Sequence, residues 1–326
     1  MHITVIGGSG FIGSRLGILL THGKLAFDIV DISVSSTFSK NTLLADVRSI
    51  TELKSAILEN TIIINLAAEH RDDVTPISLY EDVNVIGAKN VCTVASERNV
   101  NTIVFTSSVA VYGFAAIDTD ETGKIAPFNE YGRTKYAAEE EYKAWQSEAP
   151  DERTLVIVRP TVVFGEKNRG NVHNLFQQIA SGQFVMVGDG LNRKSMAYVE
   201  NVAAFLKYAS TSFKPGVHIF NYVDKPDICM NDLVKTVNRI LGKPTRIGFR
   251  LPYLAGYAIG KFFDVISKIT ARKFAISSIR IKKFCSNSVY KTSTTKTNFI
   301  PPVVFGEALE RTLSYEFIES VNHPSE

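Results

Sequence analysis

Cysteine is scarce in this 326-residue chain: Cys92, Cys229 and Cys285 are three in number, widely spaced and not paired with histidines at metal-ligand intervals. That excludes a disulfide framework and a zinc site as organising devices, so no metal is expected, and the count fits a reducing cytosol. Long apolar runs are missing too. No stretch reaches the roughly 18 uncharged apolar residues that a membrane span needs, and a strand beginning at His2 leaves no room for a signal segment. A cytoplasmic protein that does not cross a membrane is expected. Repeats and low-complexity tracts are absent. Net charge is only +3, so the chain is not a generally basic protein and no nucleic-acid partner is expected. The charge is unevenly spread, however. Between Lys243 and Lys283 stand ten cations and one anion, Asp264, which gives this segment +9 and leaves −6 on the rest. Such asymmetry points to a local anionic partner.

What is present is an ordinary apolar complement, 45% hydrophobic, on a length that suggests about two domains. Apolar, β-branched runs recur at Ile3 to Ile6, Phe27 to Val30, Ile62 to Leu66, Thr102 to Thr106 and Leu155 to Val158. Amphipathic stretches near Ile50 to Leu58, Leu79 to Glu97 and Lys135 to Ser147 separate them. Continuous strands alternating with helices predict an α/β fold, a Rossmann-like doubly wound parallel sheet covered on both faces. Residues 1–160 are assigned to this nucleotide-binding unit, with some later segments returning to it. Residues 161–326 are assigned to a smaller mixed α/β lobe that covers the substrate, with a helix near Val172 to Ser181, a strand near Phe184 to Val187 and a basic, amphipathic segment over 251–283.

The run Ile3-Thr4-Val5-Ile6-Gly7-Gly8-Ser9-Gly10-Phe11-Ile12-Gly13 joins a strand to a glycine-rich turn and a helix start. Gly7 permits the tight turn, Gly10 lets backbone approach a pyrophosphate, and Gly13 lets the helix pack closely, with the phosphates at the positive end of its dipole. Alone, such a turn also serves as a plain helix cap. Asp31, about 20 residues further on at the end of the second run, adds the acceptor an adenosine ribose needs and repels a 2′-phosphate, which favours NAD over NADP. Tyr131 and Lys135 lie four apart on one helix face, where an ammonium lowers a phenol's pKa towards the range of a base. Taken alone, that spacing is common on surfaces. Ser108, past the strand ending at Thr106, places a hydroxyl at the carboxyl end of the sheet, although Ser107 and Ser108 also suit a simple turn.

With these residues in place, the chain resembles the extended short-chain dehydrogenase/reductase family, the nucleotide-sugar epimerases and dehydratases. The matching stretches are Gly7 to Gly13, Asp46-Val47-Arg48, Asn65-Leu66-Ala67-Ala68, Thr106 to Gly113, Tyr131 to Lys135 and Arg159-Pro160-Thr161. The resemblance implies that Gly7, Gly10, Phe11, Ile12, Gly13 and Asp31 hold NAD, that Asp46 and Val47 contact its adenine, and that Leu66, Ala67 and Ala68 lie along its pyrophosphate and nicotinamide side. It also implies that Ser108, Tyr131 and Lys135 form the catalytic set, the last two also meeting the cofactor. The family's dehydratases carry an Asp-Glu pair after the strand-end Thr, where Ser107 and Ser108 stand here, and its reductases favour NADPH; epimerisation remains. Its strand-end lysine is replaced by His70, which either takes over that role or simply packs. Its usual Arg-Asp-Tyr-Ile-His-Val reads Lys194 to Val199 here, so that Lys194, a point charge, stands where an arginine fork would grip a diphosphate.

Further stretches, among them Ala67 to Val74, Gly165 to Val172, Lys194 to Val199, Asn221 to Asp227 and Ser277 to Cys285, are similar to family members that act on a lipid-linked N-acetylhexosamine diphosphate early in surface-polysaccharide (O-antigen) assembly. That likeness implies a lipid-linked sugar diphosphate as substrate, touched by Asn171, Lys194 and Tyr198, and a peripheral position on the anionic cytoplasmic face of the inner membrane. The segment from Leu251 to Ile269 is aromatic-rich and broken by charges, which suits the plane of such an interface; a core helix of the small lobe is the other reading. A soluble UDP-N-acetylhexosamine epimerase and a non-catalytic NAD-sensing protein are the alternative functions, and a homodimer stays open.

Overall fold

The computed structural model describes residues 1–71, 74–270 and 276–319. Asp72 and Asp73 of the resemblance, and Arg272 and Lys273 of the cationic run, lie outside them.

Among the described residues twelve strands run in chain order: β1 His2–Ile6, β2 Ala26–Asp31, β3 Thr42–Leu44, β4 Ile62–Asn65, β5 Thr102–Thr106, β6 Thr154–Pro160, β7 Val162–Phe164, β8 Met186–Val187, β9 Arg193–Tyr198, β10 Gly216–Tyr222, β11 Asp224–Cys229 and β12 Arg250–Leu251. The helices are α1 Phe11–His22, α2 Ile50–Ala56, α3 Gly87–Glu97, α4 Glu130–Ser147, α5 Asn171–Ala180, α6 Val199–Ala209, α7 Met230–Ile240, α8 Tyr253–Thr270, α9 Ser278–Cys285 and α10 Phe305–Ser314.

Seven strands pair in parallel in the order β3-β2-β1-β4-β5-β6-β10. The inner strands are buried on both sides, which is why their sequences read as unbroken β-branched runs. Leu53, Val91, Tyr142 and Trp145 of α2, α3 and α4 pack against Ile63, Ile103 and Ile157 on one face. Leu16, Leu20, Val202 and Phe205 of α1 and α6 pack against Val5, Ile64 and Val104 on the other. Each fully buried aliphatic side chain contributes about 1.5–3 kcal/mol relative to exposure. Strand order reverses between β1 and β4, so the connections leaving these two strands diverge and open a crevice at their carboxyl ends.

The seventh strand, β10, and helix α6 come from the second half of the chain. The remaining second-half elements form a three-stranded sheet, β11-β9-β7, a two-stranded pair, β12-β8, and helices around Phe164, Phe176, Met196 and Leu309. Local differences from the sequence reading have local causes. α4 starts at Glu130 rather than near Lys135 because the Asn129 side chain caps it, accepting from Gly132 N at 3.0 Å. The amphipathic stretch after Leu79 opens with a π-helical turn, Glu81–Ile86, before α3. β3, a short edge strand with two exposed residues, carries no burial pattern to read.

Candidate functional site

The turn after β1 is built by close backbone approach. Gly7 has φ +74°, and a Cβ there would stand 2.6 Å from Ala67 N at the end of β4. A Cβ on Gly13 would stand 2.4 Å from Gly8 O, so a side chain at either position displaces backbone. At Gly10 the nearest atom is Gly7 O at 3.4 Å, which leaves that side open. Gly10 is also the N-cap of α1, which has neither a side-chain cap nor an acid in its first turn. First-turn N–H groups lack intrahelical partners, so those of Phe11, Ile12 and Gly13 are available to an anion, while the Phe11 and Ile12 side chains pack into the second lobe's core. Asp31 ends β2 beside this turn. Each of its oxygens accepts one backbone N–H at 3.0 Å, from Ser9 and from Ser33, and keeps a lone pair for another donor.

Asp46 takes the Arg48 guanidinium, Nε lying 3.0 Å from both carboxylate oxygens, and that hydrogen bond holds its carboxyl below the usual range. Val47 is buried against Gly87 of α3, and its carbonyl accepts from Asn90 Nδ2 at 2.9 Å. Leu66, Ala67 and Ala68 are half-buried beyond β4, with Asn65 Oδ1 accepting from Ala67 N at 2.9 Å. His70 is exposed.

Ser108 caps the turn Val109–Tyr112 by accepting from Ala110 N at 3.1 Å. Lys135, one turn along α4, is 2% exposed with Nζ 4.2 Å from the Phe105 ring centroid. The expected lowering of the phenol is not what this structure gives. Burial lifts Tyr131 above its ordinary value and outweighs the opposing pull of Ser108. Lys135 itself is lowered to about 7 by burial, against the opposing pull of Glu139. A desolvated ammonium and a desolvated phenolate both disfavour charge, and burial is the largest cause of each shift.

Glu139, four residues past Lys135 and fully buried, was not singled out in the sequence. Its carboxylate receives the Arg159 guanidinium, with Nε–Oε1 2.8 Å and Nη2–Oε2 2.5 Å, and the Ser107 hydroxyl at 2.5 Å. Arg159 Nη1 in turn donates to the Tyr112 hydroxyl at 2.7 Å. One buried charge pair therefore ties together β6, α4 and the loop carrying Ser108. Asn84 does similar work on the other side, donating to Thr134 Oγ1 at 2.9 Å and bracketing Glu69 through its N–H at 2.8 Å and its carbonyl at 3.0 Å. An acid at the i+4 position of Lys135 was the readable signal for Glu139; Asn84 offered none.

The three residues expected at the substrate are differently placed. Asn171 is exposed at the first position of α5. Lys194 turns towards the end of α9. Its ammonium, lowered to about 8 by burial, donates to the Lys283 carbonyl at 2.9 Å and the Ser286 carbonyl at 2.6 Å, thereby holding the end of α9. The Tyr198 hydroxyl is 2.8 Å from Glu166 Oε1, and the residue is 1% exposed. Lys194 and Tyr198 lie on β9 and Asn171 opens α5, and the sequence carried no information on which partners their tips reach.

The family model described as the NAD dependent epimerase/dehydratase family matches residues 3–222. The chain belongs to that family. A relative from Escherichia coli O157:H7, N-acetyl-alpha-D-glucosaminyl-diphospho-ditrans,octacis-undecaprenol 4-epimerase, is 46% identical over 98% of this chain and 96% of its own length. UDP-glucose 4-epimerase of Vibrio cholerae is 27% identical, covering 82% and 85%. In fold the chain is similar to the UDP-glucose 4-epimerase of Thermus thermophilus in complex with NAD, at TM-score 0.73 and 18% identity over 97% and 98% of the two chains. It is likewise similar to UDP-N-acetylglucosamine 4-epimerase from Bacillus cereus, at TM-score 0.74 and 18% identity over 96% and 98%.

For this NAD dependent epimerase/dehydratase the residues present fit the dinucleotide. The open side of Gly10, the uncapped first turn of α1 and the two free lone pairs of Asp31 supply what a pyrophosphate and a ribose diol require.

Proposed function

We propose that the chain is an NAD-dependent sugar 4-epimerase that interconverts N-acetylglucosaminyl- and N-acetylgalactosaminyl-diphospho-undecaprenol in surface-polysaccharide assembly. The observation that carries this reading is the 46% identity, over 98% of the chain, to a relative of that activity; Ser108 at the carboxyl end of β5 and Tyr131 and buried Lys135 one turn apart on α4 support it. Bound NAD supplies reversible hydride acceptance at the sugar's C4. Tyr131 is the group that takes the 4-hydroxyl proton and later returns it. Ser108 donates to the same oxygen while it is a ketone, and Lys135 steadies the phenolate. Glu139 and Arg159 fix the α4 register so that these groups meet one oxygen. Because proton and hydride both return, no net oxidation occurs.

Leu66, Ala67, Ala68, Asp46 and Val47 are proposed to line the cofactor. Asn171 and Tyr198 are retained as substrate-lobe residues, and Lys194 as a positioning residue for α9. The enzyme works peripherally at the cytoplasmic face of the membrane that holds its substrate, and a homodimer is its proposed assembly. Among the described residues no helix is long and apolar enough to cross a membrane. Parallel incubations with the lipid-linked sugar and with UDP-N-acetylglucosamine test the substrate. Inversion of the lipid-linked sugar at a rate at least tenfold above the soluble nucleotide is expected, and the reverse order favours the soluble-substrate reading.

A further inference from the structure

Helix α8 has two faces of opposite character. Its inner face carries Gly256, where a Cβ would stand 2.6 Å from Val187 Cγ1, and Gly260, where one would stand 2.7 Å from Ser278 N, so the helix lies tight against β8 and the start of α9. Leu254, Ala258, Phe262, Val265 and Ile269 fall at i, i+4, i+8, i+11 and i+15 on the opposite face. Leu254 and Ile269 are each 78% exposed, Phe262 63% and Val265 56%. Among the described residues nothing covers this apolar ridge of about four turns, which is unlike a core helix.

Charge identifies what covers the ridge. Asp264, the single acid between Lys243 and Lys283, is turned inward, where it accepts from Ser278 Oγ at 2.6 Å and caps α9. Lys261 beside the ridge is exposed, as is Arg280 on α9. The outward surface of this hairpin therefore combines apolar side chains with cations and no described acid, which is complementary to an anionic bilayer rather than to a neutral apolar protein face.

We propose that this outward face of α8 is the seat on which the protein docks to the headgroup layer of an anionic membrane, with Leu254, Phe262, Val265 and Ile269 entering the acyl boundary. This deepens the reading of a membrane-held substrate and rests on it. The neighbouring helix joins the seat to the candidate active site. Lys282 Nζ lies 4.6 Å from the ring centroid of Phe114, and Lys283 Nζ lies 5.7 Å from that of Phe128, two rings stacked 4.8 Å apart. Phe114 follows the loop of Ser108 and Phe128 precedes Tyr131. The two lysines thus hold the hairpin on the loops that carry the catalytic groups, and the ridge of α8 is the part left for lipid.

The test is flotation of the full chain with substrate-free vesicles, either phosphatidylcholine alone or containing 30% phosphatidylglycerol as a fixed composition of about one anionic lipid in three. The wild type is expected to float with the anionic vesicles and to be released by salt. Combined Leu254→Glu, Phe262→Glu and Ile269→Glu is expected to cut the bound fraction more than tenfold while retaining NAD. Should that variant fail to fold, Phe262→Ser with Ile269→Ser gives the same readout at smaller amplitude. Undiminished binding in a folded variant overturns the proposal. So does a wild type that ignores the vesicles but changes from dimer to monomer on the ridge substitutions, since the ridge is then a protein interface. Because the vesicles carry no sugar, a wrong substrate assignment would show as failed turnover with docking intact.

Discussion

Lys135 shows at the level of one residue how function and stability oppose each other. Its ammonium is buried and lowered to about 7. Between the ordinary lysine value and about 7 the unfolded chain binds a proton that the folded chain does not, so stability falls as pH drops through that window and levels off below it. Lys135→Met removes this dependence. In the NAD-free protein the variant is expected to melt higher than wild type at pH 7 by an amount equivalent to about 1 kcal/mol or more, with the difference closing near pH 10, and to have lost turnover. A variant less stable than wild type at pH 7 contradicts a burial cost that exceeds the pull of Glu139. Asp31→Ala should weaken NAD and narrow the margin against NADP, because an acceptor for the ribose and a repelling charge for the 2′-phosphate disappear together; a cofactor ratio that stays fixed in titrations places Asp31 elsewhere. Tyr131→Phe keeps the ring but loses the hydroxyl, so bound NAD should persist while turnover falls at least tenfold.

At the level of elements, what was legible was what obeys a period or a tight backbone. β1, β4 and β5 are read from β-branched runs because burial on both faces leaves no choice of side chain. The turn at Gly7 to Gly13 is read because a Cβ at Gly7 or Gly13 collides with backbone. β3 and the π-helical turn before α3 were not legible, since neither repeats a burial pattern. Side-chain destinations were the other blind spot. Lys194 sits on the expected strand, yet its ammonium serves two carbonyls at the end of α9, partners 89 and 92 residues away that no local spacing encodes. Lys194→Met should therefore leave the nucleotide-binding unit intact and loosen α9 locally, at a cost of about 1–3 kcal/mol for carbonyls left without a donor. Faster hydrogen exchange confined to Ser278–Cys285 is the expected signature; unchanged exchange there, with weakened substrate binding, would return Lys194 to the diphosphate.

For the whole molecule, the sheet is completed by β10 from beyond residue 160, and α6 covers its face beside α1. The chain therefore leaves the nucleotide-binding unit after β6, returns to it for α6 and β10 and leaves again at β11, with Asn201 of α6 bonded to Val303 by both its amide nitrogen, at 2.7 Å, and its oxygen, at 3.0 Å. Two parts linked in this way hold a cofactor against a substrate in one register, which suits a reaction in which the same hydrogen leaves and returns. Its most direct test uses the lipid-linked N-acetylglucosaminyl diphosphate deuterated at C4, incubated with the purified protein in ordinary water without added cofactor. The account predicts an N-acetylgalactosaminyl product that keeps its deuterium at C4 through many turnovers. Inversion accompanied by replacement of that deuterium with solvent hydrogen would contradict it.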